Sequence, residues 1–203
     1  MPGRKATEEE RKRQILEAAF RVAAHRGLDR LTVRQVAGEA GVSVGLVHFH
    51  FRTKDALLIA LLDWVLETTT ALRVTPRVAA IEAPLDRLLA LLREEMGRLT
   101  GDRRRIHLFF DFWLLGTRHP EIRKKMRGEL ERYRAAFRPM AEEVLAAEPD
   151  RFVDVTAEGL AAVVVGFIKG CAVQSVIEPR EFDVQEFVTA SSALMAQLDP
   201  ASA

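Results

Sequence analysis

The stretch TVRQVAGEAGVSVGLVHFHF, Thr32 to Phe51, predicts two short helices hinged at Gly41. Thr32 is placed to cap the first helix while Gln35, three residues on, reaches back to the free amides, the spacing of a capping box. Val36, Ala37 and Ala40 then share one apolar face. Gly41 is the residue able to take a positive φ at a sharp turn, Val42 fits the angle between the helices, and Ser43 caps the second helix. That second helix presents Val44, Gly45, His48 and Phe49 outward and leaves Leu46, Val47, His50 and Phe51 to the inward side. Two helices at such a corner form a helix-turn-helix, whose second helix is shaped to enter a DNA major groove.

The flanks extend the pattern. Thr7 and Glu10 form another capping-box pair ahead of Ile15, Leu16, Ala19, Phe20, Val22 and Ala23, an amphipathic helix that ends at Gly27. After Phe51 the chain turns into a further helix with Thr53 as its cap and Asp55 at its positive end.

Over ILEAAFRVAAHRGLDRLTVRQVAGEAGVSVGLVHFHFRTKDALL, the chain resembles the tetracycline-repressor (TetR) family of bacterial transcription regulators. A weaker likeness to its choline-responsive betaine-regulator branch lies around Phe109 to Arg138. The resemblance implies an all-α protein: a three-helix DNA-binding head over 1–54, and a helical bundle over 55–203 for ligand binding and dimerisation. It implies DNA contacts at Thr32, Val33 and Arg34, where the second helix meets the backbone. It also implies contacts at Ser43, Val44 and Gly45, where the third helix enters the groove, and at Lys54 beside the phosphates. His48 stands where relatives usually carry a tyrosine, and Phe49 where many carry a polar side chain; both are expected at the groove. Phe49 suits a thymine methyl or a sugar.

Charge divides the chain in the same place. Residues 1–54 hold eleven Lys and Arg against six Asp and Glu, whereas 55–203 hold nineteen against twenty-three. The basic end is the electrostatic footprint of a polyanion-binding module. Arg4, Lys5, Arg11, Lys12 and Arg13 form a basic arm suited to the phosphate backbone or a minor groove, or simply to a solvated tail.

Two hundred and three residues, 48% of them apolar, suffice for one sizeable core or for a small domain joined to a larger one. The N-terminal stretch lacks the apolar run expected of a signal peptide, and the most apolar run, Leu160 to Ile168, reads as too short for a bilayer and is closed by Lys169. A cytoplasmic protein without a membrane partner is the expectation. Cys171 is the lone cysteine, so neither an intrachain disulfide nor a multi-cysteine metal site is expected.

After residue 54 helices are expected at 53 to about 75, 84–100, 103–118, 120–147, 155–178 and 183–198, with Pro139 kinking or splitting the fourth. Aromatic residues concentrate between Ile106 and Leu115, and an apolar effector pocket is expected from His107, Phe109, Phe110, Trp113, Tyr133, Phe137, Phe167 and Cys171. Plain core filling is the competing reading of each. Gly159, Ala162, Gly166, Gly170 and Gln174 form a narrow stripe that permits close helix approach, in line with pairing to a second subunit or with packing inside one.

The partners expected are thus a double-stranded DNA operator, a small apolar or amphipathic effector and a second copy of the chain, with no cofactor and no metal. A helical-bundle enzyme is disfavoured: no Glu has a His three residues later, and no Gly-rich phosphate loop follows a strand. A helical adaptor that uses the corner for protein contact remains the other alternative.

Overall fold

Hydroxyl side chains start the helices of the N-terminal segment as expected. Thr7 caps α1 (Glu8–Arg26), its Oγ1 accepting from the Glu10 N–H while its own N–H donates to Glu10 Oε2 at 2.7 Å. The reciprocal bond holds the Glu10 carboxyl below its ordinary pKa. Thr32 and Ser43 begin α2 (Val33–Ala40) and α3 (Val44–His50), and the Thr53 hydroxyl accepts from Ala56 at the start of α4 (Lys54–Thr69). The remaining helices of this computed structural model, which describes residues 7–69 and 72–196, are α5 (Pro76–Ala79), α6 (Pro84–Gly101), α7 (Arg103–Gly116), α8 (Pro120–Ala147), α9 (Ala157–Ile177) and α10 (Val184–Ala196). No strand occurs among the described residues. The arm residues Arg4 and Lys5, and positions 197–198 of the last expected helix, lie outside them.

Two expectations about proline need correction. The helix expected to run to about 75 closes earlier. Pro76 does not merely punctuate; it occupies the first turn of α5, with Thr75 as its cap accepting from the Val78 N–H at 3.3 Å. A proline is well placed there, because its missing N–H would have had no helical acceptor. Pro139 does not split its helix, since α8 runs unbroken from 120 to 147. Its ring lies on the exposed side, where a carbonyl deprived of its donor can turn to water.

The chain forms two compact units, Met1–Thr69 with His107–Met126, and Thr70–Ile106 with Arg127–Ala203. The first packing unit therefore exceeds the 1–54 segment. Its core joins Ile15, Leu16 and Ala19 of α1, Val36 and Ala37 of α2 and Val47 of α3 to Leu57, Leu61, Leu62 and Val65 of α4, and also to Leu108, Phe109, Phe112, Ile122 and Met126. α4, α7 and the start of α8 thus add apolar surface to that of the first three helices. Lys125 donates to Asp63 at 2.6 Å within the same unit.

In the second unit α6 packs on α9 and α10. Its buried residues include Leu88, Leu91, Leu92 and Met96 of α6, Phe137 and Val144 of α8, and Val164, Ile168 and Ala172 of α9. α9 corrects the reading of its apolar run as short. With 21 residues and a mean hydropathy of 2.0 over its most apolar window, it is long and apolar enough to cross a membrane, and half of that window is buried inside the fold. The run continues through Cys171, Ala172 and Val173 after Lys169.

Candidate nucleic-acid interface and interior polar cluster

α2 is fixed at both ends. Thr32 N–H donates to Gln35 Oε1 at 3.0 Å and Gln35 N–H returns to Thr32 Oγ1 at 3.3 Å. At the other end Gly41 adopts φ 66° and ψ 32°, the left-handed conformation that a Cβ disfavours, and its N–H reaches Ala37 and Gly38 oxygens. Val42 N–H also donates to Ala37 O at 3.0 Å, and its side chain packs against the head core. Ser43 Oγ then accepts from Leu46 N–H at 3.1 Å to start α3. From α1, Gln14 donates to Ala40 O at 2.7 Å and Arg21 pairs with Glu39 at 2.7 Å, which ties α1 to the last turn of α2.

This corner sorts the expected DNA-facing residues clearly. Thr32, Arg34, Ser43, Val44, Gly45, His48, Phe49 and Lys54 are exposed, Phe49 at 71%. Val33 departs from the set: it is half-buried against the head core, so only its backbone at the helix start is offered outward. On the inner side Val47 and Phe51 are buried and Leu46 and His50 half-buried. The His50 ring lies edge-on to Phe49 at 5.2 Å and 6.3 Å from Phe51, which supports Phe49 from behind.

The residues expected to line one effector pocket are distributed over the two units. His107, Phe109, Phe110 and Trp113 belong to the first, and Tyr133, Phe137, Phe167 and Cys171 to the second. On α7 the helical period turns Phe109 and Phe112 into the head core, while His107 is exposed and Trp113 is 37% exposed. Phe109, Phe110 and Trp113 form a ring cluster with centroids 5.4 to 6.3 Å apart. Within this unit a cavity of about 300 Å³ is lined by Gly27, Leu28, Asp29, Asp111, Leu114, Leu115, Thr117 and Arg118. Burial raises the Asp111 pKa, His107 at 3.7 Å opposes the rise, and Asp29 adds to it.

In the second unit Tyr133 and Phe137 are buried and meet edge-to-face at 5.4 Å, and Phe167 packs near Phe187 at 6.5 Å. Cys171 is fully buried, and burial pushes its thiol up to about 11, which keeps it in the unreactive protonated form at neutral pH.

Tyr133 also anchors a polar cluster that the sequence reading missed. Its hydroxyl donates to Glu95 Oε2 at 2.7 Å, and Arg98 grips the same carboxylate through Nε at 3.0 Å and Nη2 at 2.6 Å. The Lys169 ammonium lies 4.9 Å from the centroid of the Tyr133 ring. Glu95 is 1% and Lys169 8% exposed, so these charges sit in the interior. Burial and then Arg98 draw Lys169 down to about 8, with Glu95 opposing, and burial and Glu95 hold the Tyr133 phenol far above its ordinary range. The signal was present: Glu95 falls on the apolar face of α6 among Leu88, Leu91, Leu92 and Leu99, and Lys169 interrupts an apolar run.

The small-residue stripe runs down the open side of α9. Ala162, Gly166 and Gln174 are exposed and Gly159 and Gly170 half-buried. Nothing stands within 4 Å of a Cβ built at Gly166, so that surface is open. Val163 at 50%, Ile177 at 72% and Leu194 of α10 at 61% exposure add apolar area around it. Among the described residues no three His, Cys, Asp or Glu side chains group as metal ligands.

Comparison with known proteins adds to this geometry. Residues 15–61 match the family model of bacterial regulatory proteins of the tetR family, and residues 84–200 that of the C-terminal part of BetI-type transcriptional repressors. The chain is 26% identical over 172 residues to an HTH-type transcriptional regulator in the dhlA 5′ region of Xanthobacter autotrophicus, covering 84% of this chain and 82% of that one. It is 29% identical over 162 residues to the HTH-type regulator BetI of Cronobacter sakazakii, covering 77% and 76%. A regulator from Saccharomonospora viridis, solved in complex with choline, superposes with a TM-score of 0.76 at 23% identity, covering 94% and 97%; that likeness is one of fold.

Proposed function

Because the chain belongs to the TetR family of bacterial regulatory proteins, with a BetI-type C-terminal part, we propose that this transcriptional regulator is a ligand-responsive repressor acting as a homodimer on a palindromic operator. In this reading residues 1–54 read the DNA, and 55–203 bind the effector and form the dimer. The observation that carries it is the doubly capped α2–α3 corner, which turns Thr32, Arg34, Ser43, Val44, Gly45, His48, Phe49 and Lys54 to solvent together. Lys54 and the hydroxyls meet phosphates, Arg34 reaches a base edge, and Val33 contributes its backbone. Val44 and Gly45 offer few hydrogen bonds, so base preference rests on Arg34, on apolar contact from Phe49 and on DNA shape.

The open stripe of α9, with Leu194 of α10, is the surface by which two copies pair, and such burial accounts for the apolar outer face of α9. A twofold dimer sets its two α3 helices about 34 to 36 Å apart, one DNA turn, and therefore reads inverted half-sites. A small apolar or amphipathic effector that binds better to a differently spaced form releases the operator, by a coupling of about 1 to 3 kcal/mol. A cytoplasmic location, where the operator lies, belongs to the same reading. A quaternary ammonium effector is the second reading, favoured by the BetI-type match and the choline held by the Saccharomonospora viridis relative.

Selection of a random-sequence DNA library on the purified protein tests the proposal. Enrichment of a palindrome is expected. On that DNA, Lys54→Ala should reduce the salt dependence of binding by roughly one unit of slope without altering base preference. Absence of salt-sensitive retention of any DNA favours the adaptor alternative and refutes DNA reading.

A further inference from the structure

Among the outward residues of α3, Val44, Gly45 and Phe49 carry no side-chain hydrogen-bonding group, so His48 is the polar side chain that this helix turns outward. Its imidazole is exposed, and no hydrogen bond, ion pair or ring contact engages it among the described residues. His50, two residues on, differs: it is half-buried, with its ring against those of Phe49 and Phe51. One turn back from His48, a Cβ built at Gly45 meets only Ser43 Oγ, at 3.8 Å. The space beside the imidazole is therefore open to the close approach of a nucleic-acid backbone.

The charged groups around α3 favour an anion at this position. α2 packs against α3 and brings Arg34 and Glu39, of which Glu39 is held by Arg21 of α1 at 2.7 Å. The chain that leaves α3 brings Arg52, Lys54 and Asp55, all exposed. Arg34, Arg52 and Lys54 outnumber Asp55, which sits at the positive end of α4. Imidazole changes charge between about pH 5 and 8, the neutral ring donating through one nitrogen and the cation through both. A phosphate oxygen favours the cation through a charge-assisted hydrogen bond, whereas a base edge that donates an N–H favours the neutral ring. Contact with a phosphate therefore takes up a proton, and contact with such a base edge releases one.

We propose that His48 is a proton-linked phosphate contact: as α3 enters the groove, the ring takes a proton from the buffer and holds a backbone phosphate as imidazolium. This rests on the reading of α3 as the DNA-facing helix, and it gives that site a second regulator, the acidity of the solution. Operator affinity consequently strengthens as the pH falls from about 8 to about 6. Acidification holds the protein on its operator, in the opposite sense to the effector.

Fluorescence anisotropy of the full-length protein tests it, on a fluorescein-labelled duplex that carries the palindrome enriched from the random library, over a series of salt concentrations at about pH 8 and about pH 6. Affinity should rise by about tenfold for each subunit engaged, the scale of one charge-assisted hydrogen bond. Because a phosphate contact releases counterions, the salt slope should also steepen by roughly one unit per subunit at the lower pH. His48→Gln should remove both changes, whereas His48→Lys, cationic throughout this range, should hold the steeper slope at both pH values. His25→Gln, at an exposed position on α1, should leave both changes in place. Thermal melts at each pH verify that the variants fold. A wild type that binds the duplex with a flat pH profile, or with affinity falling toward about pH 6, overturns the proposal while leaving DNA reading intact. So does a pH dependence that survives in a folded His48→Gln or is lost in His25→Gln. Failure of any DNA to bind overturns the proposal together with the DNA reading on which it rests.

Discussion

Phe112 lies eighty residues along the chain from Thr32, yet its replacement by alanine is expected to destabilise the DNA-reading corner. Phe112 is 0% exposed and belongs to the same core as Val36, Val47 and Leu61. Withdrawing a buried phenylalanine side chain from an apolar site costs about 1.5 to 3 kcal/mol in transfer alone. The unfilled cavity raises this to about 3 to 5 kcal/mol, a large part of an ordinary domain's stability of about 5 to 15. Trp64 provides the local probe, since its ring stands 5.3 Å from that of Phe20 in the same unit. In a Trp113→Phe background it is the one remaining tryptophan. With a urea dependence of about 2 kcal/mol per molar, the Trp64 fluorescence midpoint should fall by about 1.5 to 2.5 M in Phe112→Ala. Phe112→Leu, which keeps most of the volume, should lose less than half as much. A Trp64 midpoint that moves by under about 0.5 M in Phe112→Ala would show that the head's core does not depend on α7, and the reasoning would fail.

Gly166→Glu adds a charge to the open face of α9 at a position where a Cβ meets nothing within 4 Å; it should leave the subunit folded but shift the light-scattering mass from twice 22.8 kDa to 22.8 kDa. A variant that stays dimeric removes the stripe from the interface. Lys169 makes stability depend on pH in an unusual direction. Its folded pKa, about 8, lies below its ordinary 10.5, so from pH 8 upward the native state releases a proton that the unfolded chain retains. Stability should therefore rise between pH 8 and 9, by at most about 1.4 kcal/mol per unit, before Cys171, raised from 9.0 to about 11, begins to act in the opposite sense. Thermal melts of Lys169→Met should lack the rise; an equal rise in the variant places its origin elsewhere.

Features set by near neighbours were legible in the chain. Thr7, Thr32 and Ser43 cap the helices that follow them, and Gly41 turns left-handed, because each is decided within about four residues. The inward and outward faces of α3 followed from the helical period for the same reason. The partners of a face were not legible. Periodicity marks Leu108, Phe109 and Phe112 as one apolar stripe but says nothing of their joining α1 and α4 in one packing unit. Aromatics are abundant between Ile106 and Leu115, and their period alone did not show that Phe109 and Phe112 pack into the core of the first unit. Glu95 went unremarked, and Lys169 was read only as the end of an apolar run, because a charge reads as surface until its burial is known.

α3 rests on its neighbours through very little of itself. Of its seven residues Val47 is the fully buried one, with Phe51 closing the helix just beyond its end. Val44, Gly45, His48 and Phe49 consequently lie outside the packing that keeps the head folded. If these four positions read DNA as proposed, mutations there should alter what the protein recognises while leaving its fold nearly unburdened, so that descendants of one gene could drift to new operators without passing through unstable intermediates. A combinatorial library confined to these four sites should accordingly consist mostly of folded members, sorted by target sequence rather than by survival.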